Sequence, residues 1–428
     1  MDFKTIENSV IKEKIFYGTH ESGLSIYIIP KKGFNKYYAI YGTDYGSCDT
    51  EFIASGETEK TILPNGIAHF LEHKLFEEAD GKNAFDRFAI TGANANAYTS
   101  FDITAYLFSC TDKFYENLEI LLDFVNHPYF TEENVAKEQG IIGQEIKMYD
   151  DDPGWRVFFN MLCAMYHNNP VKIDIAGTVE SISRITPELL YKCTDNFYHP
   201  TNMALVMVGD VDTEKAVALV DKYVKKTSSE GLKRFTYDEP SEIKTEYTEQ
   251  SLSVSMPLFM IGFKDNTLYT TGEELLKRQL ITELILDIYF GKSSNFYMSL
   301  YDKGLINASF GKDAELEKTY GFSSLSGESK NPKEVYSLVK EYVTKIGAMD
   351  ISDDDFSRAK KVLIGKNLKK FNSVDNIGNS FIKSFFDGQN PLSTNDIIDE
   401  IKKDDLKKRI LGHFNAKNCV LSVINPID

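Results

Sequence analysis

The spacing of apolar residues along the chain predicts strands in some segments and helices in others. Short apolar or alternating runs bounded by polar residues or glycine are typical of strands, and they occur at 24–30, 36–43, 103–109, 203–208, 253–264 and 419–424. Apolar positions that recur every three or four residues predict helices at 66–79, 83–91, 112–126, 132–149, 154–166 and 273–289. Strands mixed with helix pairs, without regular alternation of one strand and one helix, indicate an α+β fold with a mostly antiparallel sheet.

The same pattern of elements occurs twice along the chain. A shift of 216 positions (428 − 212 = 216) lays residues 394–428 on residues 178–212 and matches Leu205 with Leu421. Each copy runs from a helix through a short polar turn to a closing apolar strand. Self-similarity at half the chain length predicts two homologous domains of one fold, because two copies are too few for a solenoid.

A polar and charged segment separates the two copies. Residues 226–250 contain Ser228-Ser229-Glu230-Gly231 and Glu239-Pro240-Ser241, a composition typical of a linker with room for a short strand. We therefore predict a first domain over 1–225, a linker over 226–250 and a second domain over 251–428.

The candidate metal-binding histidines all lie in the first copy. The chain has seven histidines, and none occurs between His199 and His413. The helix predicted at 273–289, which the shift lays over the region of His69, is apolar and contains no histidine. The simplest interpretation is one catalytic domain and one derived domain without a metal site.

The first domain contains the pentapeptide HFLEH at 69–73. His69 and His73 are four residues apart, so they lie one turn apart on one face of a helix and both imidazoles can bind one metal ion. Glu72 lies close to that face, where its carboxylate can act as a base on a water molecule without binding the metal itself. We predict Asn65 as the N-cap of this helix.

A catalytic zinc site needs a third protein ligand. Glu138 and Glu145 are seven residues apart, on one face of a predicted helix. We predict Glu145 as the third ligand and Glu138 as the acceptor of an imidazole N–H. Gly140 and Gly143 each cost about 1 kcal/mol of helix stability, so we expect them to allow close approach of the helix that carries His69. Spacing alone fits two solvated glutamates on an exposed face equally well.

These residues together predict a hydrolytic zinc centre with one Zn²⁺ per chain. His69, His73 and Glu145 would hold the ion, which would polarise a water molecule and the scissile carbonyl. Glu72 would take the proton of the water and pass it to the leaving amine.

Composition limits the partners and the location. The net charge of −16 argues against a nucleic acid or an anionic membrane as partner, and no apolar run approaches the length of a membrane span. The five cysteines are scattered and form no C-x-x-C pair, and no secretory signal is visible. We therefore expect a cytoplasmic protein with reduced thiols.

The sequence resembles the M16 family of zinc metallopeptidases, the pitrilysin and insulin-degrading-enzyme type. It is closest to the half-length bacterial members, which are akin to subunits of mitochondrial processing peptidase. The family pattern is H-x-x-E-H, the inverzincin motif, followed by E-x6-E. Here Glu138 and Glu145 match the second part, and Glu145 lies 72 residues after His73 (145 − 73 = 72).

The resemblance also implies a role for an edge strand. Residues 92–100, GANANAYTS, are similar to the family's N-A-x-T-S strand, which binds substrate backbone as an added strand. By this resemblance Asn96 and Ala97 would bind the substrate. From the residues alone, Asn96 fits a turn as well.

One departure from the family pattern affects the expected activity. The family carries an Arg and a Tyr seven residues apart in the second domain, where they bind substrate near the catalytic water. Here Tyr301 stands where the Arg is expected, and no Arg occurs between Arg278 and Arg358. Some bacterial members divide the work between a subunit with the zinc helix and a subunit with the Arg/Tyr pair. The resemblance therefore implies a homodimer or a heterodimer, the latter with a partner chain that supplies this pair.

The resemblance implies zinc-dependent hydrolysis of short or unfolded peptides inside an enclosed chamber. The alternative within the family is a non-catalytic or partner-dependent subunit of a processing-peptidase-like heterodimer. Two interpretations from outside the family remain open. One is an S-ribosylhomocysteine lyase, which shares H-x-x-E-H but uses a cysteine as third ligand, and the other is a structural zinc site with four closed ligands.

Overall fold

The computed structural model describes residues 1–8, 11–225 and 232–427. Within these ranges the chain forms two compact units, and neither is continuous in sequence. The first unit comprises Met1–Ile146, Ile173–Phe235 and Leu368–Phe386. The second unit comprises Lys147–Lys172, Thr236–Asn367 and Asp387–Asp428.

The strands are, in chain order, β1 (Lys4–Asn8), β2 (Glu13–Thr19), β3 (Ser25–Pro30), β4 (Tyr37–Thr43), β5 (Glu51–Ile53), β6 (Lys60–Ile62), β7 (Asn94–Thr99), β8 (Thr104–Cys110), β9 (Met203–Gly209), β10 (Lys233–Arg234), β11 (Tyr247–Leu252), β12 (Leu258–Lys264), β13 (Gly311–Leu316), β14 (Gly321–Glu328) and β15 (Cys419–Pro426).

The helices are α1 (Ile67–Leu75), α2 (Ala84–Thr91), α3 (Phe114–Asn126), α4 (Glu132–Asp150), α5 (Pro153–Met165), α6 (Val179–Ile182), α7 (Pro187–Phe197), α8 (Thr213–Tyr223), α9 (Gly272–Phe290), α10 (Asn295–Asp302), α11 (Pro332–Ile346), α12 (Asp353–Lys370), α13 (Val374–Phe386), α14 (Thr394–Glu400) and α15 (Lys403–His413). Two short 3₁₀ turns lie at Pro170–Lys172 and Pro200–Asn202.

A seven-stranded sheet in the order β1-β2-β3-β9-β4-β8-β7 forms the centre of the first unit. β3 and β9 run parallel, and the other neighbours run antiparallel. All seven residues of β9 are buried, which explains the continuous apolar run of this central strand. β7 lies at one edge, beside β8, and β10-β5-β6 form a separate small sheet.

Helix α13 packs on β4 and β9 of this sheet. Two glycines allow the close contact. A Cβ atom added at Gly378 of α13 would lie 2.4 Å from the ring of Tyr38, and one added at Gly42 of β4 would lie 3.0 Å from Ile382. Because Gly378 and Gly42 have no side chains, α13 can pack closely on this face of the sheet.

A five-stranded sheet in the order β11-β15-β12-β14-β13 forms the centre of the second unit. β11 and β15 run parallel, and the other neighbours run antiparallel. Helix α5 packs on β12 and β15, where a Cβ atom added at Gly262 would lie 2.4 Å from Sδ of Met161.

The two sheets repeat one topology. β3, β9, β4, β8 and β7 correspond in order and direction to β11, β15, β12, β14 and β13. α1 and α2 lie between β4 and β7 in the chain, and α9 and α10 lie between β12 and β13. The predicted α+β fold with two homologous, mostly antiparallel domains is confirmed.

The compact units differ from the predicted domains because each half of the chain contributes one helix to the unit of the other half. α5 belongs to the first half of the chain but packs in the second unit, and α13 belongs to the second half but packs in the first. The predicted domains, 1–225 and 251–428, are continuous and keep each helix with its own half. An apolar helix face predicts burial, but it does not specify which of two similar sheets will cover it.

Several predicted boundaries move. The strand predicted at 253–264 begins only at Leu258, and the helix predicted at 66–79 ends at Leu75. Residues 226–231 of the predicted linker lie outside the described residues, and residues 232–250 contain β10 and the start of β11. Among the helices that the structure describes, none is long and apolar enough to cross a membrane.

Candidate metal centre

Helix α1 presents His69 and His73 on one face. Their ring centroids lie 4.6 Å apart and the rings are tilted by 59°. The helix begins after Gly66, whose φ of 89° is left-handed, and no side chain caps it. The prediction of Asn65 as N-cap is therefore wrong. The carbonyl oxygen of Asn65 instead accepts a hydrogen bond from Oγ of Ser181 at 2.7 Å.

A close crossing of two backbone segments fixes the start of α1. A Cβ atom added at Gly66 would lie 2.4 Å from the carbonyl oxygen of Ala176, and one added at Gly177 would lie 2.4 Å from the carbonyl oxygen of Asn65. Both glycines have positive φ, a conformation that favours glycine. The crossing therefore anchors the helix at Gly66, three residues before His69.

Helix α4 brings Glu145 to the two histidines. One carboxylate oxygen lies 3.7 Å from Nε2 of His69 and the other lies 3.6 Å from Nε2 of His73. One ligand atom from each of the three residues lies within 4.8 Å of the other two. Zinc ligands at ~2.0–2.2 Å in tetrahedral geometry are roughly 3.3–3.6 Å apart, and two imidazoles with one carboxylate form a donor set that catalytic zinc uses. The three residues therefore fit a zinc ion.

Glu138 lies on the other side of His73. Its Oε1 atom is 3.1 Å from Nδ1 of His73, and only 8% of the residue is exposed. A neutral His73 that carries its proton on Nδ1 donates to Glu138 and leaves the Nε2 lone pair facing Glu145. The interpretation of Glu138 and Glu145 as solvated glutamates on an exposed face is therefore wrong.

Gly140 and Gly143 do not pack against α1. Outside the backbone of α4 itself, a Cβ atom added at either glycine would meet no described atom within 4 Å. The expectation that they allow close approach of the two helices is wrong. The long side chains of Glu138 and Glu145 span the distance between the helices instead.

Glu72 lies buried beside this cluster. Only 8% of the residue is exposed, and its Oε2 atom accepts a hydrogen bond from Oγ1 of Thr99 at 2.7 Å. Burial raises the pKa of Glu72, and the hydrogen bond from Thr99 opposes this shift. Thr99 was not singled out from the sequence, although it is the Thr of the N-A-x-T-S pattern, which was the available signal.

The two histidines differ in their affinity for protons. Burial lowers the pKa of His69 to about 4, and the neighbouring His73 adds to this effect. Burial also disfavours the charged form of His73, but the hydrogen bond to Glu138 and the charges of Glu72 and Glu145 outweigh it and raise the pKa of His73. His69 is therefore neutral at pH 7, and its buried Nδ1 atom has no hydrogen-bond partner among the described residues.

Lys74 is a second residue that sequence reasoning missed. It directly follows His73, and its side chain is buried between the carboxylates of Glu77 and Glu138. Lysine is almost never fully buried unless it is paired, so the residue type alone predicts an exposed side chain. No signal in the sequence indicated otherwise.

The strand β7 carries Asn96 and Ala97 at the edge of the first sheet. They pair with Leu107 and Tyr106 of β8, so Asn96 lies in a strand and not in a turn. The backbone N–H of Ala97 donates to Oδ1 of Asn96 at 2.9 Å. The backbone N–H of Ala97 is therefore hydrogen-bonded to the neighbouring side chain of Asn96 in the same strand.

A cavity of about 480 Å³ lies beside the cluster. Phe76 and Phe85 form part of its wall, with ring centroids 4.1 Å apart and nearly parallel planes. Glu72, Asn96 and Ala97 also border it. The cavity thus connects the buried carboxylate to the edge strand.

Two rival interpretations of the motif lose support. The described residues contain two groups of three side chains that could hold a metal: His69 with His73 and Glu145, and His20 with Glu21 and Asp221. Neither group contains a cysteine, as the lyase interpretation requires, and neither has the four ligands of a closed structural zinc site. His20 is also hydrogen-bonded at both ring nitrogens, to Ser22 and Asp221 at 2.8 Å each.

The second unit has no counterpart of this cluster among its described residues. α9 matches the predicted apolar helix and contains no histidine. The buried His413 is instead hydrogen-bonded to Oγ of Ser323 at 2.7 Å. Tyr301, which by the family resemblance stands in place of an Arg, lies on α10, is 47% exposed and stacks on Tyr297.

Comparison with protein families identifies both halves of the chain. Residues 52–179 match the family described as Insulinase (Peptidase family M16). Residues 184–363 match the family described as Peptidase M16 inactive domain. The two matches follow one another along the chain, in agreement with two homologous domains.

A similar protein and two solved structures agree with this assignment. The chain is 42% identical over 426 residues, 99% of each chain, to the Uncharacterized zinc protease YmfH of Bacillus subtilis (strain 168). A putative M16-like peptidase from Alicyclobacillus acidocaldarius is 32% identical with a TM-score of 0.92, over 100% of this chain and 99% of the other. A protease from Helicobacter pylori shares the fold at a TM-score of 0.81 and 18% identity, over 97% of this chain and 100% of the other. The histidine motif, the repeated fold and these similarities lead to one conclusion: the chain belongs to peptidase family M16.

Proposed function

We propose that the chain is a zinc-dependent peptidase that binds one Zn²⁺ through His69, His73 and Glu145. The observation that supports this most directly is the convergence of these three side chains, whose ligand atoms lie within 4.8 Å of one another, beside the buried carboxylate of Glu72. When bound, zinc supplies the Lewis acidity that activates water and polarises a carbonyl.

Glu72 is the general base and acid of the proposed reaction. A buried carboxylate with a raised pKa is suited to accept the proton of the attacking water and to return it to the leaving amine. The hydrogen bond from Thr99 fixes one oxygen of Glu72. Glu138 holds the proton of His73 on Nδ1, which keeps Nε2 available to the metal.

The substrate is proposed to add a strand at the edge of β7. Asn96 and Ala97 would then bind its backbone, and a peptide carbonyl that accepts from the N–H of Ala97 would displace Oδ1 of Asn96. A side chain next to the scissile bond would enter the cavity against Phe76 and Phe85. This pairing requires a substrate with an extended backbone, so short or unfolded peptides are favoured. An enclosed chamber, which the family resemblance implies, would exclude folded proteins.

Activity through a partner chain is the second candidate. Tyr301 replaces the Arg that the family carries, and no Arg occurs between Arg278 and Arg358. We therefore propose a dimer, either of two copies or with a second chain that supplies the Arg/Tyr pair. In the extreme case the chain is a non-catalytic subunit of a processing-peptidase-like heterodimer. No two of the five cysteines, all of which lie in the described part of the chain, form a disulfide, and this supports the proposal of a cytoplasmic location.

The variant Glu72→Gln tests the proposed function. It removes the base and leaves all three proposed ligands in place, so the protein should bind one zinc per chain and fail to hydrolyse a mixed library of unfolded peptides. Zinc content is measured by elemental analysis and hydrolysis by mass spectrometry, with and without proteins encoded beside this chain. Hydrolysis at the wild-type rate in Glu72→Gln would exclude Glu72 as base. Zinc-loaded wild-type protein that cleaves only with a second chain would support the partner-dependent candidate.

A further inference from the structure

A buried ammonium group lies against the carboxylate that supports His73. The side chain of Lys74 has no exposed surface. Its Nζ atom donates a hydrogen bond to Oε2 of Glu77 and lies 3.6 Å from Oε2 of Glu138. Burial of an ion is unfavourable unless the ion is well paired, and the carboxylates of Glu77 and Glu138 provide that pairing for Lys74.

The two oxygens of Glu138 have separate partners. Oε1 faces Nδ1 of His73 at 3.1 Å, and Oε2 faces Nζ of Lys74. Lys74 and His73 are neighbours on α1, whereas Glu138 comes from α4. The carboxylate is thus held between an imidazole and an ammonium from one turn of one helix, and this sets its orientation.

We propose that Lys74 is a positioning residue of the metal centre and acts through Glu138, an inference that rests on the proposed zinc function. Without the ammonium, Glu138 is a buried carboxylate with one remaining partner. It can then turn away from Nδ1 of His73, or swing along α4 and compete with Glu145 for the ion. Lys74 prevents both movements by holding Oε2.

The position of Lys74 separates this role from substrate binding. Glu77 and Glu138 border the cavity beside the metal centre, but Lys74 does not. Its loss should therefore change zinc affinity and kcat, and it should leave KM unchanged because no substrate atom reaches the buried side chain.

A double-mutant cycle tests the proposal. Lys74→Met, Glu138→Gln and the double variant are compared with the wild type for zinc Kd, by competition with a chromophoric chelator, and for kcat and KM on a peptide substrate. Loss of a group that orients a metal ligand typically weakens metal binding about 10–100-fold, and we expect this loss in each single variant. The double variant should be no weaker than the weaker single variant, because Lys74 acts only through Glu138.

Lys31→Met is the matched control. Lys31 is also a buried lysine of the first unit, and it pairs with Glu13 and the carbonyl oxygen of Phe371 instead of the metal centre. Its zinc Kd should stay within about twofold of the wild type, since no ligand is oriented by it.

Two results would overturn the role of Lys74: wild-type zinc affinity in Lys74→Met, or losses that multiply in the double variant. If Lys74→Met does not fold, Lys74→Gln replaces it, and a zinc Kd equal to that of the wild type would likewise overturn the role. Absence of zinc binding by the wild type would instead refute the proposed function, so the two failures are distinguishable.

Discussion

The hydrogen bond between Thr99 and Glu72 leads to a prediction about pH dependence. Oγ1 of Thr99 lies 2.7 Å from Oε2 of Glu72 and stabilises the ionised carboxylate, because an ionised carboxylate can only accept. Thr99→Val keeps the shape of the side chain and removes the donor. The ionised form of Glu72 then loses a partner while burial continues to favour the neutral form.

The size of the effect follows from the charge on Glu72. A hydrogen bond to a charged group contributes roughly 1.5–3 kcal/mol, and one pKa unit corresponds to about 1.4 kcal/mol. The pKa of Glu72 should therefore rise by about one to two units in Thr99→Val. Because the base must be ionised, the acidic limb of kcat/KM should move to higher pH by the same amount.

The assay is a pH profile of kcat/KM for zinc-loaded protein on one peptide. Thr99→Ser keeps the hydroxyl group and should keep the wild-type profile, which makes it the matched control. An acidic limb that stays in place in folded, zinc-loaded Thr99→Val would refute the assignment of Glu72 as base and its support by Thr99.

Three further outcomes are expected. Gly66→Ala should lower the free energy of unfolding, measured by urea denaturation, by roughly 1–3 kcal/mol, because the new Cβ atom would lie 2.4 Å from the carbonyl oxygen of Ala176. Gly56 also has positive φ, but a Cβ atom there would meet no atom within 4 Å, so Gly56→Ala should lower the free energy of unfolding by less. Equal losses in the two variants would contradict the backbone crossing. Ala97→Pro removes the edge N–H, so KM should rise about 10-fold or more with zinc content unchanged, and an unchanged KM would contradict strand addition at β7. Zinc affinity should fall as the pH falls through the pKa of His73, which lies above its ordinary value, because the ion must displace the proton of the imidazole. Isothermal titration calorimetry at pH 6 and pH 8, each in two buffers, should show proton release on zinc binding at pH 6. Equal zinc affinities at the two pH values would contradict this prediction.

Periodicity and repetition predict the fold well, since they depend on local burial. The strands β3, β4, β8 and β9 and the correspondence of the two sheets follow from apolar spacing alone. β1 and β2 do not, because their residues alternate weakly and both strands are largely exposed or half-buried. The exchange of α5 and α13 depends on contacts between distant segments, which one sequence does not encode in any local pattern.

The proposed metal ligands are predictable because helix geometry constrains their spacing. His69 and His73 must lie one turn apart, and the seven-residue spacing of Glu138 and Glu145 places both on one face of α4. Thr99 and Lys74 are different, because their roles depend on which side chains from other elements lie within hydrogen-bonding distance. The structure supplies that information and the spacing does not.

The most direct test of the account is anomalous diffraction at the zinc edge from crystals soaked in zinc. We predict one peak per chain, about 2.0–2.2 Å from Nε2 of His69, Nε2 of His73 and a carboxylate oxygen of Glu145, with the carboxylate of Glu72 nearby and outside bonding distance. A peak at His20 and Asp221 alone, or a zinc ion bound without Glu145, would contradict the account.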